Sequence, residues 1–287
     1  MEDYYAHIKD SHLRKRKFTS SLMIFLCIIA ALAAVLPLVY IFFYTTAAGA
    51  SALNIDFFTE LPKPVGETGG GMANAIAGTL TLVGLGSIIG IPVGIMAGIY
   101  INEYSGNITA NAIKFVTDVL AGVPSIIIGI FAYGVLVIPM QRFSALAGGF
   151  ALGILMIPTI TRITEEMLKL VPQTLREASL ALGIPRWKTT VLIVLKTASG
   201  GIITGILLAI ARAAGETAPL LFTSFGNNYW AESLDGPMAS IPVQIFNYAI
   251  SPYEEWHRKA WAGAFVLITL IFIISLAVRF VTRKKYG

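Results

Sequence analysis

The sequence predicts an all-α integral membrane protein, with six transmembrane helices and a short amphipathic helix between the fourth and the fifth. Three observations carry this. Of 287 residues, 56% are apolar and 13% charged, with a mean hydropathy of +0.74, whereas soluble domains carry roughly 25% charged residues. The apolar residues gather in windows of about 20, the length that crosses a bilayer. Lys and Arg fall mainly in alternate segments between those windows, as they do in multi-pass chains.

Residues 1–17 form a basic tail ending in Arg14-Lys15-Arg16-Lys17, and residues 18–44 the first span. A cleavable leader has an apolar region of about 7–15 residues. This run is about twice as long and reads as a retained anchor, with a tolerated kink at Pro37. Residues 45–72, with Pro62, Pro64, Gly66 and Gly69-Gly70-Gly71, read as a loop. No Lys-Ser or Lys-Thr follows the triple glycine and no strand precedes it, so it is a hinge or helix entry rather than a phosphate cradle.

The second span, 73–101, sets Gly86, Gly90, Gly94 and Gly98 on one ridge, a spacing that admits another helix backbone. The third covers 119–138. Its Gly122-Val123-Pro124-Ser125 has two readings, a plain proline kink or a broken helix lining a cavity. After a tight turn at Pro139–Arg142 the fourth span runs over 143–161, and the fifth over 199–226. The loop 227–258 holds Tyr229, Trp230, Tyr253 and Trp256, residues suited to a membrane interface. The sixth span is 260–280, and residues 282–287 close the chain as a second basic tail.

Charge orients these spans. The amino tail holds five Lys/Arg, the loop after span two holds Lys114, the loop after span four holds six, and the carboxyl end four. The opposite side carries only Lys63, Arg142, Arg258 and Lys259. The positive-inside rule then puts both termini and the loop after span four in the cytoplasm. In a membrane chain the net charge of +5 is accounted for by topology, and nucleic acid is not an expected partner. The lone Cys27 forms no intrachain disulfide, and His7, His12 and His257 lack metal-ligand spacing.

Two segments carry candidate chemistry. From Glu165 to Ala181, Met167, Leu168, Val171, Leu175 and Ala178 recur at helical spacing, and Gly183 with Pro185 ends the helix. Such a helix either lies at the lipid headgroups or enters a groove on a partner. Arg212 and Glu216 stand inside the fifth span, where a charge costs roughly 2.5–3.5 kcal/mol on insertion scales. Spaced by four on a helix they share one face. They are either an ion pair that holds spans together or a guanidinium oriented toward an anion, with the Thr217 hydroxyl alongside.

Glu177-Ala178-Ser179, then Gly183, Ile193 and Leu195, resemble the EAA loop of ABC importer permeases, with Ser179 in place of an alanine and Lys196 in place of the final proline. FFTELPKPVGETGGG, NAIAGTL, GVPSIIIGIFAYG, REASLALGIPRWK, ILLAIARAAGETAPLLFT and SPYEEWHRKAWAG, in that order, resemble the PstA-type permeases of phosphate importers. The resemblance implies a type I ABC importer permease fold over 73–281, with the EAA coupling loop at 165–198. It implies a phosphate pathway past Arg212, Glu216 and Thr217, and coupling to an ATPase through Glu177, Ala178, Ser179 and Gly183. The partners it implies are a PstC-type permease in a heterodimer, two PstB-type ATPase subunits that bind ATP and Mg, an extracytoplasmic PstS-type phosphate-binding protein and a PhoU-type regulator. The chain itself needs no cofactor, since Gly183–Thr189 lacks the second glycine of a nucleotide loop. The competing readings are a sulfate or molybdate permease, the sister PstC-type permease, and a signalling scaffold for phosphate starvation. An intramembrane enzyme is disfavoured, as no HExxH, GxSxG or clustered His is found.

Overall fold

The computed structural model describes residues 2–67 and 69–286. Met1, Thr68 and Gly287 lie outside the described residues, as do the side chains of 2–12, 14, 15, 278, 279 and 281–286. Most of the basic side chains of the two tails, Lys9, Arg14, Lys15, Arg279, Arg283, Lys284 and Lys285, therefore lie outside them too.

The described residues are helical with loops between, and the chain divides into two compact units after Ala48. The first unit is the bulk of α1 (Glu2–Gly49), which continues through Pro37 and extends beyond the expected span at both ends. The second holds α2 (Ile55–Thr59), α3 (Ala73–Glu103), α4 (Ile108–Gly122), α5 (Ser125–Met140), α6 (Ala145–Lys169), α7 (Gln173–Ala181), α8 (Arg186–Ala214), α9 (Ala218–Thr223), α10 (Ile241–Ala249) and α11 (Glu254–Tyr286). The helices α1, α3, α6, α8 and α11 are each long and apolar enough to cross a membrane. The pair α4 and α5, bent by 106° at its break, makes a sixth crossing if counted as one.

Packing starts from the glycine ridge of α3. A Cβ on Gly86, Gly90, Gly94 or Gly98 would stand 2.9, 2.8, 2.7 or 2.6 Å from the Cβ of Leu152, Met156, Ile160 or Thr164. Both series advance by four together, so α3 and α6 run parallel in one fixed register. Gly149 and Gly153 of α6 return the contact against Leu85 and Ile89. Close backbone approach of this kind is how helices associate in lipid, where burial from water provides no drive between them. On another side of α6, Gly205 meets Ile163 and Gly201 meets Met167, which makes α8 antiparallel to α6. The small residues Gly201 and Gly205 of α8 therefore pack on α6.

The loop between α9 and α10 closes the end of the bundle opposite α7. Backbone N–H groups of Ala145 and Leu146, left without partners in the first turn of α6, donate to the carbonyls of Gly236 and Leu234 at 3.0 and 3.2 Å. The Ser144 hydroxyl caps the same turn from Ala147 N–H at 3.2 Å. At α3 the Asn74 amide donates to the Asn227 carbonyl at 2.6 Å.

Four expected boundaries move, each for a local reason. The fourth span runs eight residues past Thr161, to Lys169, since no Gly or Pro lies between Thr161 and Leu170. The amphipathic helix does not start at Glu165, because Pro172 biases Val171 out of the helical region; α7 begins at Gln173. The third span is a bent pair: Val123 and Pro124 are extended, and α4 starts well before Val119. The fifth span is not continuous over 199–226. It starts at Arg186, passes through a π turn at Thr190–Val194, stops at Ala214, and resumes as α9 after Gly215–Thr217. Pro219 has no N–H to bond the Gly215 carbonyl, which weakens the helix where it breaks.

Candidate functional site

Two clusters stand at opposite ends of α8, which at about 1.5 Å per residue is roughly 43 Å long. The first cluster is the break after α8. Arg212 lies in its last turn, half exposed at the edge of the stripe of Ala198, Ile202, Gly205, Ala209 and Ala213 that packs inward. Gly215 N–H donates to the Arg212 carbonyl at 3.1 Å and Glu216 N–H to the Ala213 carbonyl at 3.2 Å, tightening the helix end. Glu216 thus lies beyond the helix, not one turn along it. The two side chains still meet, with Arg212 Nε 3.6 Å from Glu216 Oε1.

The pair is asymmetric in burial. The Glu216 side chain is 15% exposed and that of Arg212 is 51% exposed. The carboxylate is anchored inside the subunit while the cation remains open on its surface. Glu216 approaches Arg212 most closely at Nε rather than at the terminal nitrogens, whose fork binds oxyanions in bidentate fashion. Thr217 opens α9, and its carbonyl accepts from Leu220 and Leu221 N–H. Behind the break, Pro219 packs on α5, where a Cβ on Gly129 would stand 2.6 Å from the Pro219 Cα.

The second cluster is the corner between α7 and α8. Gly183 has φ +77°, a left-handed position next to the helix end, and accommodates it without strain. Gly183 and Ile184 N–H donate to the Leu180 and Ser179 carbonyls at 2.9 and 3.2 Å. Glu177 and Ala178 are exposed, as are Leu175, Leu180, Leu182 and Trp187 around them. Ser179 is turned inward and buried, its hydroxyl 2.8 Å from that of Thr189. The serine that departs from the alanine of the EAA pattern therefore fastens the corner from inside rather than facing a partner.

Sequence reasoning missed a set of charged contacts at the same end. Arg176 of α7 pairs with Glu103, the last residue of α3, and donates to the Asn102 side-chain oxygen at 3.0 Å. Glu165 of α6, nearly buried, is held by Lys114 of α4 at 3.0 Å and by Lys169. Arg162 stands 3.6 Å from Asp118. Only the Glu165–Lys169 spacing of four was visible along the chain; the other partners are 44 to 73 residues apart and leave no local signal.

Residues 90–285 match the family described as "Binding-protein-dependent transport system inner membrane component". The chain is 46% identical over 249 residues to the phosphate transport system permease protein PstA of Yersinia pestis, covering 86% of this chain and 84% of that one. It is 39% identical over 279 residues to the PstA protein of Pasteurella multocida, covering 97% and 99%. Among solved structures it is similar to the inward-facing MetNI methionine ABC transporter (TM-score 0.57, 19% identity, 74% of this chain and 92% of that one). It is also similar to a bacterial ABC transporter that imports alginate (TM-score 0.59, 14% identity, 95% and 98%). At those identities the two structures speak for the fold alone.

Proposed function

The chain belongs to the binding-protein-dependent transport inner membrane components, among their PstA-type phosphate permeases, and from that premise we propose how its residues divide the work. It is the permease subunit of a phosphate ABC transporter, multi-pass in the inner membrane, without catalysis or a cofactor of its own. It works in a complex with an ATPase and a binding protein. The finer assignments are ours. The membrane partner is a PstC-type permease, the engine two PstB-type ATPase subunits, the donor a PstS-type phosphate-binding protein, and a PhoU-type regulator acts on the assembly. Both termini and α7 are cytoplasmic, a placement that the distribution of Lys and Arg supports.

On this reading α7 is the coupling helix. Its exposed Glu177, Ala178, Leu175 and Leu180 dock in a cleft of the ATPase, and Gly183 sets the corner through which movement enters α8. Ser179 supports that corner through Thr189. At the far end of α8, the open guanidinium of Arg212 meets the travelling phosphate, Glu216 keeps it charged and aimed, and Thr217 offers a hydroxyl. The observation that carries the reading is the burial asymmetry of the Arg212–Glu216 pair at a helix break. Glu165 and Lys114 show a similar asymmetry while joining α6 to α4, so it is the helix break at Gly215–Thr217 that sets the Arg212–Glu216 pair apart. A broken helix at membrane depth leaves backbone groups that a hydrated pathway or a ligand satisfies.

The test is co-purification with the partner permease, the ATPase and the binding protein, reconstitution in liposomes, and measurement of ATP hydrolysis. Hydrolysis is expected to rise with phosphate-loaded binding protein and to ignore sulfate or molybdate. A rise with either of those oxyanions instead would move the chain to a different importer.

A further inference from the structure

Among the described ion pairs at the α7 end, the Arg176–Glu103 pair is the one that involves α7. The Arg176 and Glu103 side chains are 15% and 21% exposed, whereas the cations of the neighbouring pairs, Lys114, Arg162 and Lys169, are about half exposed. One terminal nitrogen of Arg176 takes the Glu103 carboxylate and the other takes the Asn102 side-chain oxygen, so the fork engages two consecutive residues at the end of α3. That geometry fixes orientation as well as distance, which a lysine ammonium would not do.

The placement gives the contact a mechanical meaning. α7 is joined to α6 through Leu170-Val171-Pro172, three non-helical residues, and to α8 through the Gly183 corner and the Ser179–Thr189 hydroxyl pair. α3 is registered against α6 along four glycines, so the two are packed as one block. With Arg176 in place, α7 is fastened both to the α3–α6 block and to α8. Without it, displacement of α7 would be absorbed at residues 170–172 and reach α8 alone.

We propose that Arg176 is a positioning residue of the transport cycle, fastening the coupling helix through Glu103 and Asn102 to the end of α3, so that movement of α7 drives the α3–α6 block together with α8. The proposal rests on the reading of α7 as the coupling helix. It adds that the force divides between two bodies, with one ionic contact as the joint to the first.

The experiment uses the complete reconstituted transporter and reads phosphate taken up per ATP hydrolysed, beside subunit recovery. Arg176→Gln and Glu103→Gln are expected to co-purify with the ATPase and hydrolyse ATP within about twofold of wild type. Uptake should fall about tenfold, lowering the ratio. The swapped double variant Arg176→Glu/Glu103→Arg should raise the ratio above either charge-reversed single. Arg176→Lys, which keeps the charge without the fork, should lie between wild type and Arg176→Gln; it also supplies the ratio if Arg176→Gln does not assemble. An unchanged ratio in the Gln or Lys variants, with both activities falling together, would reduce the pair to a structural brace and overturn the proposal. A swapped variant no better than the singles would do the same. If the wild-type complex shows no binding-protein-stimulated hydrolysis, the coupling reading itself fails, and that result is distinguishable from a wild type that couples and variants that do not differ.

Discussion

A Cβ placed on Gly94 would lie 2.7 Å from the Cβ of Ile160, and the Ile157 carbonyl would be 3.2 Å away. Neither neighbour can yield without moving α6, because Gly90 and Gly98 hold the same register one turn to each side. Gly94→Ala is therefore expected to cost about 1–3 kcal/mol through overpacking, although alanine is the better helix former. Gly84, on the same helix with nothing within 4 Å of its Cβ position, supplies the comparison. Gly84→Ala should be neutral or stabilise by up to about 1 kcal/mol. Thermal unfolding of the purified complex, read for both variants, checks the difference in sign.

Arg212→Gln is expected to abolish phosphate uptake while leaving insertion and assembly intact, since the side chain is half exposed and packs on little. Losing two charge-assisted hydrogen bonds to phosphate, at about 1.5–3 kcal/mol each, corresponds to about 100-fold or more in uptake. Arg212→Lys, which keeps charge without the fork, should fall between. Glu216→Gln should weaken uptake less than Arg212→Gln, because the guanidinium remains and loses only its orientation. Radiolabelled phosphate uptake normalised to subunit recovery orders the three, and unchanged uptake in Arg212→Gln would remove the residue from the pathway.

How far the sequence disclosed this depends on the range of each signal. The glycine ridge of α3 was legible because Gly86 to Gly98 repeat along one helix and any partner must be small or yielding there. The break at Gly215–Thr217 was not, because the apolar residues on both sides of it read as one span and hydropathy does not register a lost hydrogen bond. The start of α7 was obscured because Met167 and Leu168 happen to continue the apolar spacing of Val171 and Leu175 across Pro172. The contacts of Arg176 with Glu103, and of Ser179 with Thr189, exist only because tertiary structure brings them together. The serine looked like a tolerated departure until its partner was visible.

The corner between α7 and α8 separates two kinds of damage. Ser179→Ala restores the family's alanine but removes a buried hydroxyl pair; Thr189 keeps a longer contact with the Pro185 carbonyl at 3.4 Å. The expected loss is about 1 kcal/mol of stability with coupling retained. A double-mutant cycle of Ser179→Ala with Thr189→Val should give an interaction of about 0.5–1.5 kcal/mol.

Gly183→Val should act differently, because at φ +77° a β-branched residue adds about 1–2 kcal/mol of backbone strain with no compensating contact. That strain is relieved by opening the corner, so uptake and phosphate-stimulated hydrolysis should both drop. Gly183→Asn tolerates the left-handed region and should retain most of each. Measuring the two activities on the same preparations distinguishes a reshaped corner from a lost side chain.

The Glu216 end of α8 rests on a contact between two uncharged residues. A Cβ on Gly129 of α5 would stand 2.6 Å from the Pro219 Cα, and α9 begins at Ala218, two residues after Glu216. Any side chain at 129 must push α9 outward, and the nearest place to absorb the shift is the non-helical Gly215–Thr217. Gly129→Val is thus expected to displace Glu216 from Arg212 and lower phosphate uptake about tenfold or more, because misplacement of about 1 Å is enough to lose contacts of this kind. Gly134 lies on the same helix with nothing within 4 Å of its Cβ position, and Gly134→Ala should leave uptake unchanged. If Gly129→Val lowers uptake only in proportion to subunit recovery, the break at 215–217 is not tuned by α5, and the pair is held by α8 alone.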